Sequence, residues 1–103
     1  MTKIIGKWKL FILTTSNHEE EKRQIEAIQK ALKGGIYEPD FEIRLVGLPE
    51  DYARTVQTST IVCIEALVND INFKTHSGSV YSCDSNLFTG IYCLTTKGER
   101  KLA

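Results

Sequence analysis

Along the chain, apolar and polar positions alternate with two different periods, and the changes of period divide it into segments. Residues 3–13, KIIGKWKLFIL, read as a first strand. Trp8, Leu10 and Ile12 fall on one face, Phe11 and Leu13 on the other, so the end of the strand is apolar on both sides, as in a sheet covered on both faces. The period then lengthens to that of a helix. Ile25, Ile28 and Leu32 share one helical face with Ala27 and Ala31 beside them. Asn17 with Glu20, or Ser16 with Glu19, supplies a capping box, and the glutamates at 19–21 fill the first turn. There the helix dipole favours each of them by about 0.3–1 kcal/mol at low salt. Gly34–Gly35 closes the helix, because glycine accepts the left-handed conformation.

Pro39 and Asp40 mark a turn, after which FEIRLVGL alternates with Phe41, Ile43 and Leu45 on one side. LPEDYARTVQ places Pro49 at a first-helical-turn position ahead of Glu50 and Asp51, which predicts a second, short helix. STIVCIEALV, rich in β-branched residues, predicts a buried strand. INFKT and SVYSC flank His76-Ser77-Gly78 as a hairpin. In the last third, Phe88, Ile91 and Tyr92 suit either a strand or a short helix, and Gly90 favours the strand. The predicted order is β-α-β-α-β-β with an undecided final element. That is a single α/β or α+β domain over residues 1–103, with a small mixed sheet and a helix packed on it through a right-handed crossover.

Composition adds limits more than detail. Thirteen basic residues balance thirteen acidic ones, so no net field draws the chain to nucleic acid or an anionic membrane. Lys7 and Lys9 interrupt the first apolar run and no small-residue cleavage site follows, so no targeting leader is expected. The longest apolar run, Leu10 to Leu13, is too short for a membrane helix. Cys63, Cys83 and Cys93 make an odd count without CxxC spacing. They read as reduced core thiols in a cytoplasmic protein, with a Cys83–Cys93 disulfide as the alternative.

The segments KLFILTTSN, IEAIQKALKGGIY and FEIRLVGLPEDYARTVQTSTI, spanning residues 7–61, resemble the thioredoxin fold in its redox-inactive, KaiB-like branch. The resemblance implies a thioredoxin-like sheet without thiol chemistry, although the C-terminal third shows no amphipathic closing helix of the kind that fold expects. It also implies that the loops after the first strand and before the third long one lie at the same end of the sheet. Ser59 occupies the place where thioredoxin-like chains usually carry a cis-proline; a cis bond there would cost about 2.5–4 kcal/mol, so a trans peptide is expected. A ferredoxin-like sandwich satisfies the same pattern.

The candidate chemistries are thin. The strand–helix turn, Thr14-Thr15-Ser16-Asn17, has neither the cysteine that redox chemistry needs nor the glycines that let a backbone cradle phosphate. His18 and His76 read as solvated side chains rather than general bases. Cys83, Cys93 and His76 do not follow a zinc spacing. Glu50, Asp51 and Glu65 are the available carboxylates, and Glu65 stands out for interrupting an apolar strand. No cofactor, metal or catalytic residue is expected.

What remains is surface. The leading expectation is a non-enzymatic regulator or adaptor that binds another protein through a sheet edge, formed by INFKT or SVYSC, and the adjacent loops at Thr15, Ser16, Ser59 and Thr60. Tyr37, Tyr52, Tyr81, Phe88 and Tyr92 are the aromatics available for contacts. An uncapped edge also admits a homo-oligomer, and small inhibitors made by viruses or mobile elements share this composition. The alternative is a nucleic-acid-binding module using Lys97, Arg100 and Lys101 in a wing-like C-terminal hairpin. The predicted helix weighs against it, because its basic residues are interleaved with glutamates.

Overall fold

The structure, a computed structural model, describes residues 1–13 and 16–103. In the described residues β1 (Thr2–Ile12) is followed by α1 (His18–Ala31), β2 (Gly35–Tyr37), β3 (Ile43–Pro49), β4 (Val56–Gln57) and β5 (Ile61–Ala66). Then come β6 (Asp70–Thr75), β7 (Val80–Asp84), a 3₁₀ turn (Ser85–Leu87), β8 (Phe88–Thr95) and β9 (Gly98–Lys101). This is a mixed α+β domain with a mostly strand-built sheet in the order β2-β5-β6-β7-β1-β3-β4, with β8 and β9 branching from β1. Among the described residues no helix is long and apolar enough to cross a membrane.

β1 belongs to two ladders at once. Its first residues pair in parallel with β7, Thr2 opposite Tyr81 and Lys3 opposite Ser82. Its second half pairs in parallel with β8, from Trp8 opposite Phe88 to Ile12 opposite Cys93. β7, the 3₁₀ turn and β8 thus form one bent ribbon beside β1. Along its other side β1 pairs antiparallel with β3, from Ile4 opposite Pro49 to Ile12 opposite Ile43. The register shifts between Ile5 and Lys9, where Gly6 has φ 84°, a left-handed value suited to glycine, and β1 bulges. Ile4 and Trp8 both turn inward across the bulge, and Gly47 of β3 makes room for them: a Cβ there would lie 2.6 Å from Ile4 Cγ2.

The core gathers Ile4, Trp8, Leu10, Ile12, Ile43, Leu45, Ile61, Ile64, Ile71, Phe73, Cys83 and Ile91 from the strands with Ile28 and Ala31 from α1. Trp8 anchors it. Its ring lies 5.4 Å from Phe73 and 4.7 Å from Phe88, and its Nε1–H donates to the Asp84 carbonyl at 2.7 Å. Helix α1 forms as its spacing predicts. The Asn17 side chain accepts from Glu19 N and Glu20 N, and Ile25 and Leu32 pack against the core beside the buried Ile28. The Glu20 carboxylate, expected in the capping box, takes hydrogen bonds from Arg23 and Gln24.

Several expectations are corrected. The segment 49–57 is not a second helix: Pro49 closes β3, the chain turns, and Val56 pairs antiparallel with Gly47. Its only apolar residues after Tyr52 are Ala53 and Val56, too few for a helical face to bury. β1 and β3 are antiparallel neighbours, so α1 does not serve as a crossover between paired parallel strands. The last third, left open between strand and short helix, takes the strand that Gly90 favoured, with β8 and β9 joined by a tight turn whose Gly98 has φ 114°. Finally, β6 lies between β5 and β7, and β7 between β6 and β1, so INFKT and SVYSC are interior strands; β2, β4 and β9 lie at the margins.

Candidate functional site

The outward face of the β3-β1-β8 sheet is where apolar surface and charge meet. Phe11 of β1 is opposite Arg44 of β3 on one side and Tyr92 of β8 on the other, its ring 6.0 Å from that of Tyr92. Lys9, two residues back on the same face, places its ammonium 5.4 Å from the Phe11 ring and 5.2 Å from the Tyr92 ring, and pairs with Glu99 of β9 at 2.7 Å. Toward the end of β1 the packing opens. Phe11 is 7% exposed, whereas Leu13 is 63% and Leu94 is 56% exposed. Between them and the polar wall of Glu42, Arg44 and Gln57 lies a cleft of about 100 Å³.

That wall is held in place. Arg44 binds Glu42 at 2.7 Å and donates to the Thr58 carbonyl at 3.2 Å. Thr60 donates to the same Glu42 carboxylate at 3.3 Å. Thr58 is buried, donating its N–H to the Leu45 carbonyl at 2.9 Å while its hydroxyl accepts from Leu45 N at 3.2 Å. Because Ile12 is opposite Ile43, the residue after Glu42, the end of β1 and the 58–60 segment meet at one end of the sheet.

The residues expected from sequence sit around this end with different degrees of availability. Thr15 lies outside the described residues. Ser16 is exposed just ahead of the Asn17 cap. Ser59 is half-buried with its hydroxyl 3.1 Å from that of Ser77, and Thr60 is half-buried against Glu42. Both hydroxyls are therefore engaged within the chain. The exposed apolar pair, Leu13 and Leu94, was the missed feature. Its signal was the second apolar face of the first strand, read there as covered; α1 covers only the inner face.

The basic residues of the C-terminal hairpin do not share a face. Lys97 is exposed in the turn. Lys101 is opposite Tyr92 on the outward side, while Arg100, opposite the buried Cys93, points the other way and pairs with Glu21 of α1 at 3.7 Å. Of the aromatics, Tyr37, Tyr81 and Phe88 pack on the core and Tyr92 on Phe11; Tyr52 is exposed.

All three cysteines are free thiols. Cys83 is buried, and desolvation, reinforced by the nearby Asp70 charge, pushes its pKa far above the ordinary thiol value, the opposite of what a nucleophile needs. Cys93 is buried and Cys63 half-buried opposite Lys74. His76, in the β6–β7 turn, donates its backbone N–H to the Thr60 carbonyl at 2.8 Å. Glu65 faces Asn72 across β5 and β6, and Glu50 accepts from Lys3 N at 3.4 Å. Among the described residues no three His, Cys, Asp or Glu side chains are grouped to hold a metal ion. Comparison of the chain with protein-family models, curated proteins and solved structures finds no match.

Proposed function

We propose that this chain acts by binding another protein, as a regulator or adaptor, through the end of the sheet where Leu13 and Leu94 flank the cleft. The observation that carries the reading is the exposure of these two leucines over a floor of Phe11, beside the ion-paired Arg44. Apolar anchors next to an aromatic and an arginine, rimmed by polar groups, are the composition of an interface centre. Ser16 and the 58–60 segment would form the rim. A relation to the KaiB-like branch rests on the segment spacing of residues 7–61, and this reading does not depend on it.

The test is quantitative affinity capture with wild type, Leu13→Asp, Leu94→Asp and Val68→Asp. Val68, 93% exposed in the β5–β6 turn, is the control for a surface apolar residue. A partner retained by wild type and the Val68 variant, and weakened about tenfold or more by either leucine variant, supports the reading. Partners held equally by all four proteins remove this face from consideration.

A further inference from the structure

β9 is the longest strand on a margin of the sheet: it spans Gly98–Lys101, against Gly35–Tyr37 for β2 and Val56–Gln57 for β4. Among the described residues it pairs only with β8, and all of it is exposed. The phase of its backbone follows from its register. Leu102 donates its N–H to the Ile91 carbonyl at 2.7 Å, so it faces β8. Counting back by two, Arg100 and Gly98 also turn their backbone groups to β8, and Glu99 and Lys101 turn theirs to the open side. The side chains of Glu99 and Lys101, opposite Leu94 and Tyr92, lie together on the outward face.

These features fit one particular partner strand. We propose that β9 pairs antiparallel with β9 of a second copy of this chain, about a two-fold axis through Arg100. In that register Glu99 of one copy stands opposite Lys101 of the other. Each such pair exchanges both backbone N–H···O bonds and sets opposite charges side by side on the outward face. Like charges along a strand margin normally exclude a second sheet. Here the outward charges are opposite in sign and spaced evenly about the axis, so an antiparallel copy meets its complement, with Glu99 bridging Lys9 of its own chain at 2.7 Å and Lys101 of the second copy. Arg100 itself sits on the axis, but its guanidinium is on the inner side, paired with Glu21 at 3.7 Å. The axis lies on the far side of β8 from β1, so self-pairing leaves the Leu13–Leu94 cleft open and does not rest on its role.

A charge swap tests this. Sedimentation equilibrium of the full chain, from about 10 μM to about 1 mM, reads the dimer constant. Lys101→Glu places Glu opposite Glu, and Glu99→Lys places Lys opposite Lys; each is expected to weaken the dimer about tenfold or more. Because Lys9 binds Glu99 within the chain at 2.7 Å, every protein compared carries Lys9→Gln. In that background the double variant Glu99→Lys/Lys101→Glu restores opposite charges in the same register and is expected to recover most of the loss. A chain that stays monomeric across the range overturns the proposal. So does a dimer that ignores the single changes, or one that the double swap fails to rescue.

Discussion

At the scale of single residues, the Glu20 carboxylate is tuned by its neighbours on α1. Its carboxylate takes hydrogen bonds from Arg23 Nε at 3.0 Å and Nη2 at 2.6 Å and from Gln24 Nε2 at 3.1 Å. These donors, Arg23 first, hold its pKa down to about 2 from an ordinary 4.5. A folded-state pKa below the unfolded one stabilises the fold above the unfolded value. That contribution is lost as pH falls from about 4.5 toward 2. NMR titration of side-chain carboxyls should find the Glu20 midpoint near 2 in wild type. Arg23→Gln should return it toward the ordinary range, and an ordinary midpoint in wild type would contradict the assigned geometry. The Asn17 N-cap was visible in the sequence because capping is a matter of neighbours. The fate of the Glu20 carboxylate was not, since a capping box and a bond to Arg23 use the same spacing.

Among the elements, β1 and β3 show why part of the fold escapes local reading. The alternation of FEIRLVGL and the hairpin at His76-Ser77-Gly78 were legible, because each depends on a few consecutive residues. By contrast, α1 ends at Ala31 on a right-handed Leu32 cap, ahead of the expected Gly34–Gly35, and Gly35 opens β2. Pro49-Glu50-Asp51 was misread because the same residues open a helix or a turn. What decides between them is Val56 pairing with Gly47, a contact across the turn. Nor could the sequence reveal that Gly47 faces the bulge of β1. Gly47→Ala would drive its Cβ into Ile4 Cγ2 at 2.6 Å and Trp8 Cβ at 3.3 Å. A loss of about 1–3 kcal/mol in urea unfolding is expected. Combining it with Ile4→Ala, which removes the nearer obstacle, should cost less than the sum of the two single changes. Additive losses would mean that the clash is relieved elsewhere.

For the whole molecule, the two ladders share β1 and one core, and the radius of gyration of 12.9 Å matches the ~13 Å of a compact hundred-residue domain. Trp8, the one tryptophan, sits where β1 passes from β7 to β8 and touches Phe73 and Phe88 on either side. Its fluorescence and the far-UV circular dichroism should therefore fall in a single urea transition with coincident midpoints. Separate midpoints would show that the β5-β6-β7 side unfolds apart from the β3-β1-β8 side. The candidate docking face was half legible at this scale. The apolar run of the first strand was plain, but which of its faces lacked a covering layer depends on where α1 lands.

The bulge in β1 carries one more consequence. Between Ile5 and Lys9 that strand advances four residues while β3 retreats two, from Leu48 to Val46, so two residues loop out. Since side chains switch sides at every step, an excess of two preserves parity and keeps Ile4 and Trp8 both pointing inward. Length changes at Gly6–Lys7 should be tolerated in even numbers. Losing a single residue there would turn either the half before it or the half after it inside out.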